Sequence, residues 1–331
     1  MTPGSPFPWL TAAVSAGAIL ALSSQAMAIP RERSIEAAGP QGPLKGTLTM
    51  PDGKMIAAVL IIPGSGPTDR DGNSPLGIKA STYRLVAGGL AEHAIASVRI
   101  DKRGMFASAG AVPDPNNVTI SEYSDDVHAW VRSIRQNLKV NCVWVMGHSE
   151  GGLVALKSAA TPDGICGLIL VSTAGEPAGE LLIKQIEQGG APENLVREVR
   201  EVVAALRSGE GVDVSKYDPP IQQIFPPAVQ RFIMSEFSED PAKLVASVGM
   251  PVLIVQGDRD LQVSVKDAQL LAAANPRAKL VILPNVNHVL KHVETDGRGA
   301  NMATYADADL PLDPSFTNIV VEYIGARGIN Y

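Results

Sequence analysis

Cys142-Val143-Trp144-Val145-Met146 runs directly into Gly147-His148-Ser149-Glu150-Gly151-Gly152, so a Gly-x-Ser-x-Gly pattern stands where an apolar strand gives way to a helix. That is the sequence form of a nucleophile elbow. The turn has to be tight enough to lift a serine hydroxyl over the end of a sheet, which strains the serine backbone and leaves room only for small neighbours. Gly147 and Gly151 meet that demand. The pattern alone is short enough to arise by chance, and its surroundings decide its meaning.

Upstream, Ala57-Ala58-Val59-Leu60-Ile61-Ile62 reads as a buried strand and ends in the Gly-rich loop Pro63-Gly64-Ser65-Gly66-Pro67-Thr68-Asp69-Arg70-Asp71-Gly72. Such a loop can turn backbone N–H groups toward a developing negative charge. Downstream, Pro251-Val252-Leu253-Ile254-Val255-Gln256-Gly257 delivers Asp258-Arg259-Asp260 to a loop, and Lys279 to Pro284 runs into Asn285-Val286-Asn287-His288. The order is Ser, Asp, His, each directly after a strand. That is one of the known chain orders of the serine triad.

On these residues the chain resembles the α/β-hydrolase superfamily from about Leu44 onward. Three motifs carry the resemblance: Ile62 to Gly72, Asp101-Lys102-Arg103-Gly104, and Gly147 to Gly152. Together they are similar to a branch of bacterial serine esterases related to acyl hydrolases and to prolyl-oligopeptidase-type peptidases. The second motif departs from the pattern, which often continues to Gly and then Ser; here it reads Met105-Phe106-Ala107-Ser108. The resemblance implies an α/β fold with a mostly parallel central sheet flanked by helices and a helical cap insertion.

Five histidines are available to activate Ser149. His93 ends a helix, His128 lies within one, and His148 occupies the variable position of the elbow, so all three read as packing or surface. His292 is one helical turn beyond His288, but His288 sits in the loop directly after the last strand and reads as the base. For the acid, both Asp258 and Asp260 are within reach of Gly257. The family places its Asp three residues after the strand-ending glycine, which points to Asp260 and leaves Asp258 to brace the loop. The oxyanion hole is expected from the amides of Glu150 and of Ser65, with Gly66 as the alternative second donor. Asp69, Arg70 and Asp71 read as a charged brace for that loop.

A length of 331 residues with 45% hydrophobic content suits one large α/β domain with an insertion. The net charge of −6 and the lack of any Lys/Arg cluster argue against nucleic acid or an anionic membrane surface as partner. Residues 1–28 carry no charged side chain, and Trp9 to Leu22 is an apolar run followed by Ala26-Met27-Ala28, the pattern of a cleavable secretory signal. A membrane span needs roughly 20 apolar residues. The mature protein, residues 29–331, is therefore expected in the periplasm or outside the cell, without stable membrane insertion.

Only Cys142 and Cys166 are present, each beside the start of an expected strand, and their spacing gives no metal signal. In the family those strands are neighbours, which allows either a disulfide or two buried thiols.

Between the alternating strands and helices, about Ala174 to Ser247 shows helical periodicity without a strong strand, the expected cap. Its stripe of Leu195, Val199, Val202, Val203 and Leu206 reads as packing down onto the main domain. That leaves Ile221, Ile224, Phe225 and Phe232 to line a substrate pocket, Phe225 and Phe232 foremost. Trp130, on the apolar face of a helix after Ser121, reads as core. The reading is thus a serine hydrolase that cleaves a small-molecule carboxylic ester through an acyl-enzyme, with no cofactor and no metal. A thioesterase or peptidase using the same triad, and a non-catalytic binding protein on the same scaffold, are the rivals.

Overall fold

The computed structural model describes residues 30–295 and 297–327. The expected secretory signal lies outside them. Eight strands form one sheet: β1 Arg31–Ala37, β2 Leu44–Met50, β3 Ala57–Ile62, β4 Ile95–Ile100, β5 Val143–His148, β6 Ile165–Val171, β7 Val252–Gly257 and β8 Lys279–Leu283. Their spatial order is β1-β2-β4-β3-β5-β6-β7-β8. Strand β2 runs antiparallel to both of its neighbours, β1 and β4; from β4 to β8 every pairing is parallel.

Parallel strands need both faces covered, and their sequences are apolar at every position rather than at alternate ones. Strand β3 shows the consequence: Ala58, Leu60 and Ile62 point into one core, Ala57, Val59 and Ile61 into the other. Strand β5 divides Val143 and Val145 from Trp144 and Met146 in the same way. The first face is covered by α2 (Ile120–Leu138), α3 (Glu150–Ser158) and α9 (Val265–Ala274), the second by α1 (Thr82–Glu92) and α10 (Pro314–Gly325). Helix α2 begins at Ile120 because Thr119 caps it, its hydroxyl accepting from the Glu122 amide at 3.2 Å. Trp130 is fully buried on the sheet-facing side of α2.

Between β6 and β7 the chain forms α4 (Ala178–Gln188), α5 (Glu193–Arg207), α6 (Pro219–Ile224), α7 (Gln230–Phe237) and α8 (Pro241–Ala246). The stripe of α5 does not pack on the main domain as its periodicity suggested. Val199, Val202, Val203 and Leu206 pack with Ile183, Ile221, Phe225 and Phe237 in a core internal to the insertion. Helix α8 differs, since Val245 joins the main core under the sheet.

Cys142, the residue before β5, and Cys166, the second residue of β6, are joined in a disulfide with a Cα separation of 5.2 Å. Neighbouring parallel strands in near register put the two residues side by side, which settles the two states that the sequence left open. Among the described residues no helix is long and apolar enough to cross a membrane.

Candidate active site

Ser149 follows β5 directly, with φ 55° and ψ −122°, a conformation that L-residues rarely adopt. Its amide donates to the Val171 oxygen of β6 at 2.9 Å, and its carbonyl accepts from Gly152 in the first turn of α3 at 2.9 Å. The glycines around it are required by close approach rather than by dihedral angle. A Cβ on Gly147 would lie 2.1 Å from the Gly151 oxygen, and one on Gly151 would lie 2.5 Å from the Ile62 oxygen.

His288 and Asp260 meet at the C-terminal edge of the sheet. His288 Nδ1 lies 2.8 Å from Asp260 Oδ2, with both side chains buried. The other carboxylate oxygen of Asp260 accepts from the amides of Gln262 (2.8 Å) and Val263 (2.9 Å), and Gln256 Nε2 donates to Oδ2 at 3.1 Å. Burial works to raise the acid's pKa, but the His288 charge and these hydrogen bonds outweigh it and hold the carboxyl below its ordinary value. Asp258 is exposed and accepts from the Asn285 amide at 2.6 Å, so it ties β7's loop to the loop after β8. His292 pairs with Asp313 at 3.1 Å, its side chain half exposed. Ser149 and His288 line one small cavity together with Gly64 and Ser65.

Of the two readings its elbow position allowed, packing holds and surface does not, but His148 is also a hydrogen-bond link that the sequence did not show. It is buried; Nδ1 lies 2.9 Å from the Tyr83 hydroxyl and Nε2 2.9 Å from the His288 main-chain oxygen. Burial foremost, then the neighbouring His288 charge, pulls its pKa down to about 3, so the ring is neutral with one N–H. The His288 oxygen can only accept, which places that proton on Nε2. Nδ1 then accepts from Tyr83, whose oxygen in turn accepts from the Gly64 amide at 2.9 Å. A chain of three hydrogen bonds thus links the loop after β3 to the backbone of His288.

The motif Asp101-Lys102-Arg103 has three separate anchoring tasks. Asp101 accepts from the Arg70 amide (2.9 Å) and Nε (3.0 Å), so Arg70 is part of a brace. Lys102 Nζ donates to the Gly64 oxygen at 2.7 Å and to Glu150 Oε1 at 3.1 Å. Arg103 forms two 2.7 Å bonds with Asp126 of α2. Sequence reading missed Lys102 and His148 because each acts on a partner far along the chain. The amides of Ser65 and Glu150 enter no hydrogen bond among the described residues, and both residues line a cavity of about 470 Å³ with Ser149.

The insertion roofs this larger cavity, and Ile224, Phe225, Ile233, Glu236 and Phe237 line it. Phe232 does not. Ile233, Glu236 and Phe237 share one face of α7 at steps of three and four, and Phe232 is one residue out of phase. It packs edge-on against Tyr123, 6.0 Å between ring centres, in a neighbouring cavity with Met105 and Phe106. Ile221 is fully buried in the insertion's own core. Among the described residues no group of His, Cys, Asp or Glu is arranged to hold a metal ion.

Residues 76–296 match the family described as serine aminopeptidase, S33. The chain belongs to that family. Among curated proteins it is similar to esterase EstD of Thermotoga maritima, 25% identical over 257 residues; the match takes in 75% of this chain and spans 58% of the length of that relative. The fold of the S33 family member is that of the α/β hydrolases. Est1E from Butyrivibrio proteoclasticus superimposes with a TM-score of 0.54 at 18% identity, covering 88% of this chain and 99% of that one. A thermophilic esterase from Thermogutta terrifontis gives 0.54 at 18% identity, covering 91% and 100%. The proline iminopeptidase of Mycobacterium smegmatis gives 0.58 at 13% identity, covering 89% and 99%.

Proposed function

We propose that the protein hydrolyses carboxylic esters of small molecules through an acyl-enzyme, with Ser149 as nucleophile, His288 as base and Asp260 as its orienting acid. One observation carries the reading: a serine in a strained turn at the end of β5 shares a cavity with a histidine whose Nδ1 is held by a buried carboxylate. Asp260 fixes the tautomer that leaves His288 Nε2 free to accept a proton and stabilises the imidazolium that results. Ser149 Oγ attacks the ester carbonyl as its proton passes to Nε2. The oxyanion is stabilised by the unpaired Ser65 and Glu150 amides. His288 returns the proton to the departing alcohol, and a water then repeats the attack on the acyl-serine.

The likeness to an esterase from Thermotoga maritima supports the choice of ester over thioester or peptide bond. The Cys142–Cys166 disulfide, together with the apolar segment at residues 1–28, supports a periplasmic or secreted address, where oxidised cysteines persist. A fluorophosphonate tests the chemistry. Protein lacking residues 1–28 should be labelled at Ser149, and Ser149→Ala should lose both labelling and hydrolysis of activated esters. An adduct mapped to any other serine would overturn the assignment.

A further inference from the structure

We propose that Asn301 is a positioning residue for the proposed triad: its side-chain amide joins the loop that carries Asp260 to the loop that carries His288. This rests on the Ser149, His288 and Asp260 reading and adds a residue to it. Asn301 belongs to the short helix Arg298–Ala303, and its side chain is buried. Nδ2 donates to the main-chain oxygen of Arg259 at 2.7 Å, and Oδ1 accepts from Asn287 Nδ2 at 3.2 Å. Those two partners immediately precede the proposed acid and the proposed base. The Arg259 oxygen belongs to the peptide group that leads into Asp260, so one amide holds the chain a single residue ahead of each.

Chemistry forces the orientation of both amides. A carbonyl oxygen can only accept, so the Arg259 oxygen faces Nδ2 and Oδ1 is left to Asn287. Asn287 is fully buried and fixed in its turn, because its Oδ1 accepts from the Lys291 amide at 3.0 Å. Its Nδ2 is thereby directed at Asn301 and at Thr304 Oγ1, 2.7 Å away.

His288 and Asp260 stand on separate loops, after β8 and β7, and their 2.8 Å contact lasts only while those loops keep their spacing. Backbone pairing supplies part of that constraint, since the Arg259 amide donates to the Val286 oxygen at 2.9 Å, and it leaves the Arg259 oxygen to Asn301. The Asp258 carboxylate on the Asn285 amide is a second link, but it is exposed and further from both residues. Burying an amide is costly unless its hydrogen bonds are made. A leucine, branched at the same carbon, would pack the helix on the loops without that cost, so packing alone does not account for Asn301.

The test uses Asn301→Leu, which keeps the branched shape and loses both hydrogen bonds. Activated esters give kcat and KM, while proton NMR follows the far-downfield resonance of a histidine Nδ1–H held by a carboxylate, assigned by its loss in Asp260→Ala. In Asn301→Leu kcat should fall by about tenfold to a hundredfold with KM changed by less than about twofold, and the resonance should move or broaden. Asn287→Ala breaks the same link from the other side, so in the double variant the two losses in kcat should fall well short of multiplying. Cys142→Ser/Cys166→Ser controls for lost stability alone, because the bridge lies at the opposite end of β5 from Ser149, and it should keep both kcat and the resonance. Wild-type kcat and an unmoved resonance in Asn301→Leu overturn the proposal and leave the triad reading intact. A loss confined to KM, or losses that multiply in the double variant, overturn it too. Wild type that neither hydrolyses esters nor takes fluorophosphonate at Ser149 removes both readings. Should Asn301→Leu not fold, Asn301→Ala cuts the same link without placing methyl groups against the Arg259 oxygen, and an unchanged kcat and resonance there reject the idea.

Discussion

His148 Nε2 stands 2.9 Å from the main-chain oxygen of His288, so the residue before the proposed nucleophile holds the backbone of the proposed base. The two rings also lie 4.7 Å apart between centres. Strand β5, which ends at His148, therefore fixes the position of a histidine 140 residues away. His148→Ala should reduce kcat by about tenfold to a hundredfold through small misplacement of His288, with little change in KM. Tyr83→Phe, which removes only the donor to Nδ1, should lose less. Steady-state kinetics on both variants checks the order, and a KM effect larger than the kcat effect would point to a substrate contact instead.

The same histidine should be visible in the pH dependence of stability. Its folded pKa of about 3 lies below the ordinary value of 6.5. Between those values the unfolded chain binds a proton that the folded protein excludes. The contribution is fully present above pH 6.5 and is lost as the pH falls toward 3. The slope from this group is at most about 1.4 kcal/mol per pH unit. Denaturant unfolding at pH 7, 5 and 4 should show a steeper loss in wild type than in His148→Gln, which carries no titrating group at that position.

Asp260 and Asp258 are two residues apart and should behave very differently. Asp260→Asn keeps the shape but offers the wrong proton to His288 Nδ1, and should cost on the order of 10³ or more in kcat. Asp258→Asn disturbs the 2.6 Å bond to the Asn285 amide and a 4.0 Å ion pair with Arg259, and should cost about tenfold or less. Circular dichroism confirms folding of both variants, and a larger loss at Asp258 would transfer the role.

The strands and the three proposed catalytic residues were legible because their signals are local. Fully buried parallel strands write themselves as apolar runs, and Ser149, Asp260 and His288 each come within a few residues of a strand end. Long-range partnerships leave no such trace. Nothing in Gly147-His148-Ser149 foretells Tyr83 or the His288 oxygen, and Lys102 finds Gly64 and Glu150 only once β3, β4 and β5 lie side by side. Phe232 failed for another reason. The sequence shows that α7 is apolar on one side but does not fix which side the roof turns toward Ser149, and a shift of one residue exchanges the cavity for its neighbour. The α5 stripe went astray similarly, since periodicity identifies a buried face without naming the surface that covers it.

The Cys142–Cys166 bridge closes a sequence separation of 24 residues between strands that are already paired. Chain-entropy arguments give about 3 kcal/mol for a loop of this length. Cys142→Ser/Cys166→Ser should unfold at lower denaturant than the oxidised wild type by that amount. Reduced wild type should match the double variant, and equal midpoints for all three would mean that the bridge constrains nothing the sheet does not.

Lys102 offers the sharpest separation of stability from catalysis. Its ammonium and the Glu150 carboxylate are both buried, and the same ammonium holds the Gly64 oxygen at the start of the loop that carries the Ser65 amide. Lys102→Met leaves an uncompensated carboxylate and should destabilise the protein by about 3–5 kcal/mol. It also frees the loop, so kcat should fall, up to the roughly 10²–10³ attributed to one lost oxyanion donor. Adding Glu150→Gln removes the stranded charge while keeping the Glu150-position amide, so much of the stability should return. The Gly64 anchor does not return with it, and kcat should stay low. Recovery of both quantities together in Lys102→Met/Glu150→Gln would show that Lys102 serves only to neutralise Glu150, and that the loop after β3 keeps its place without it.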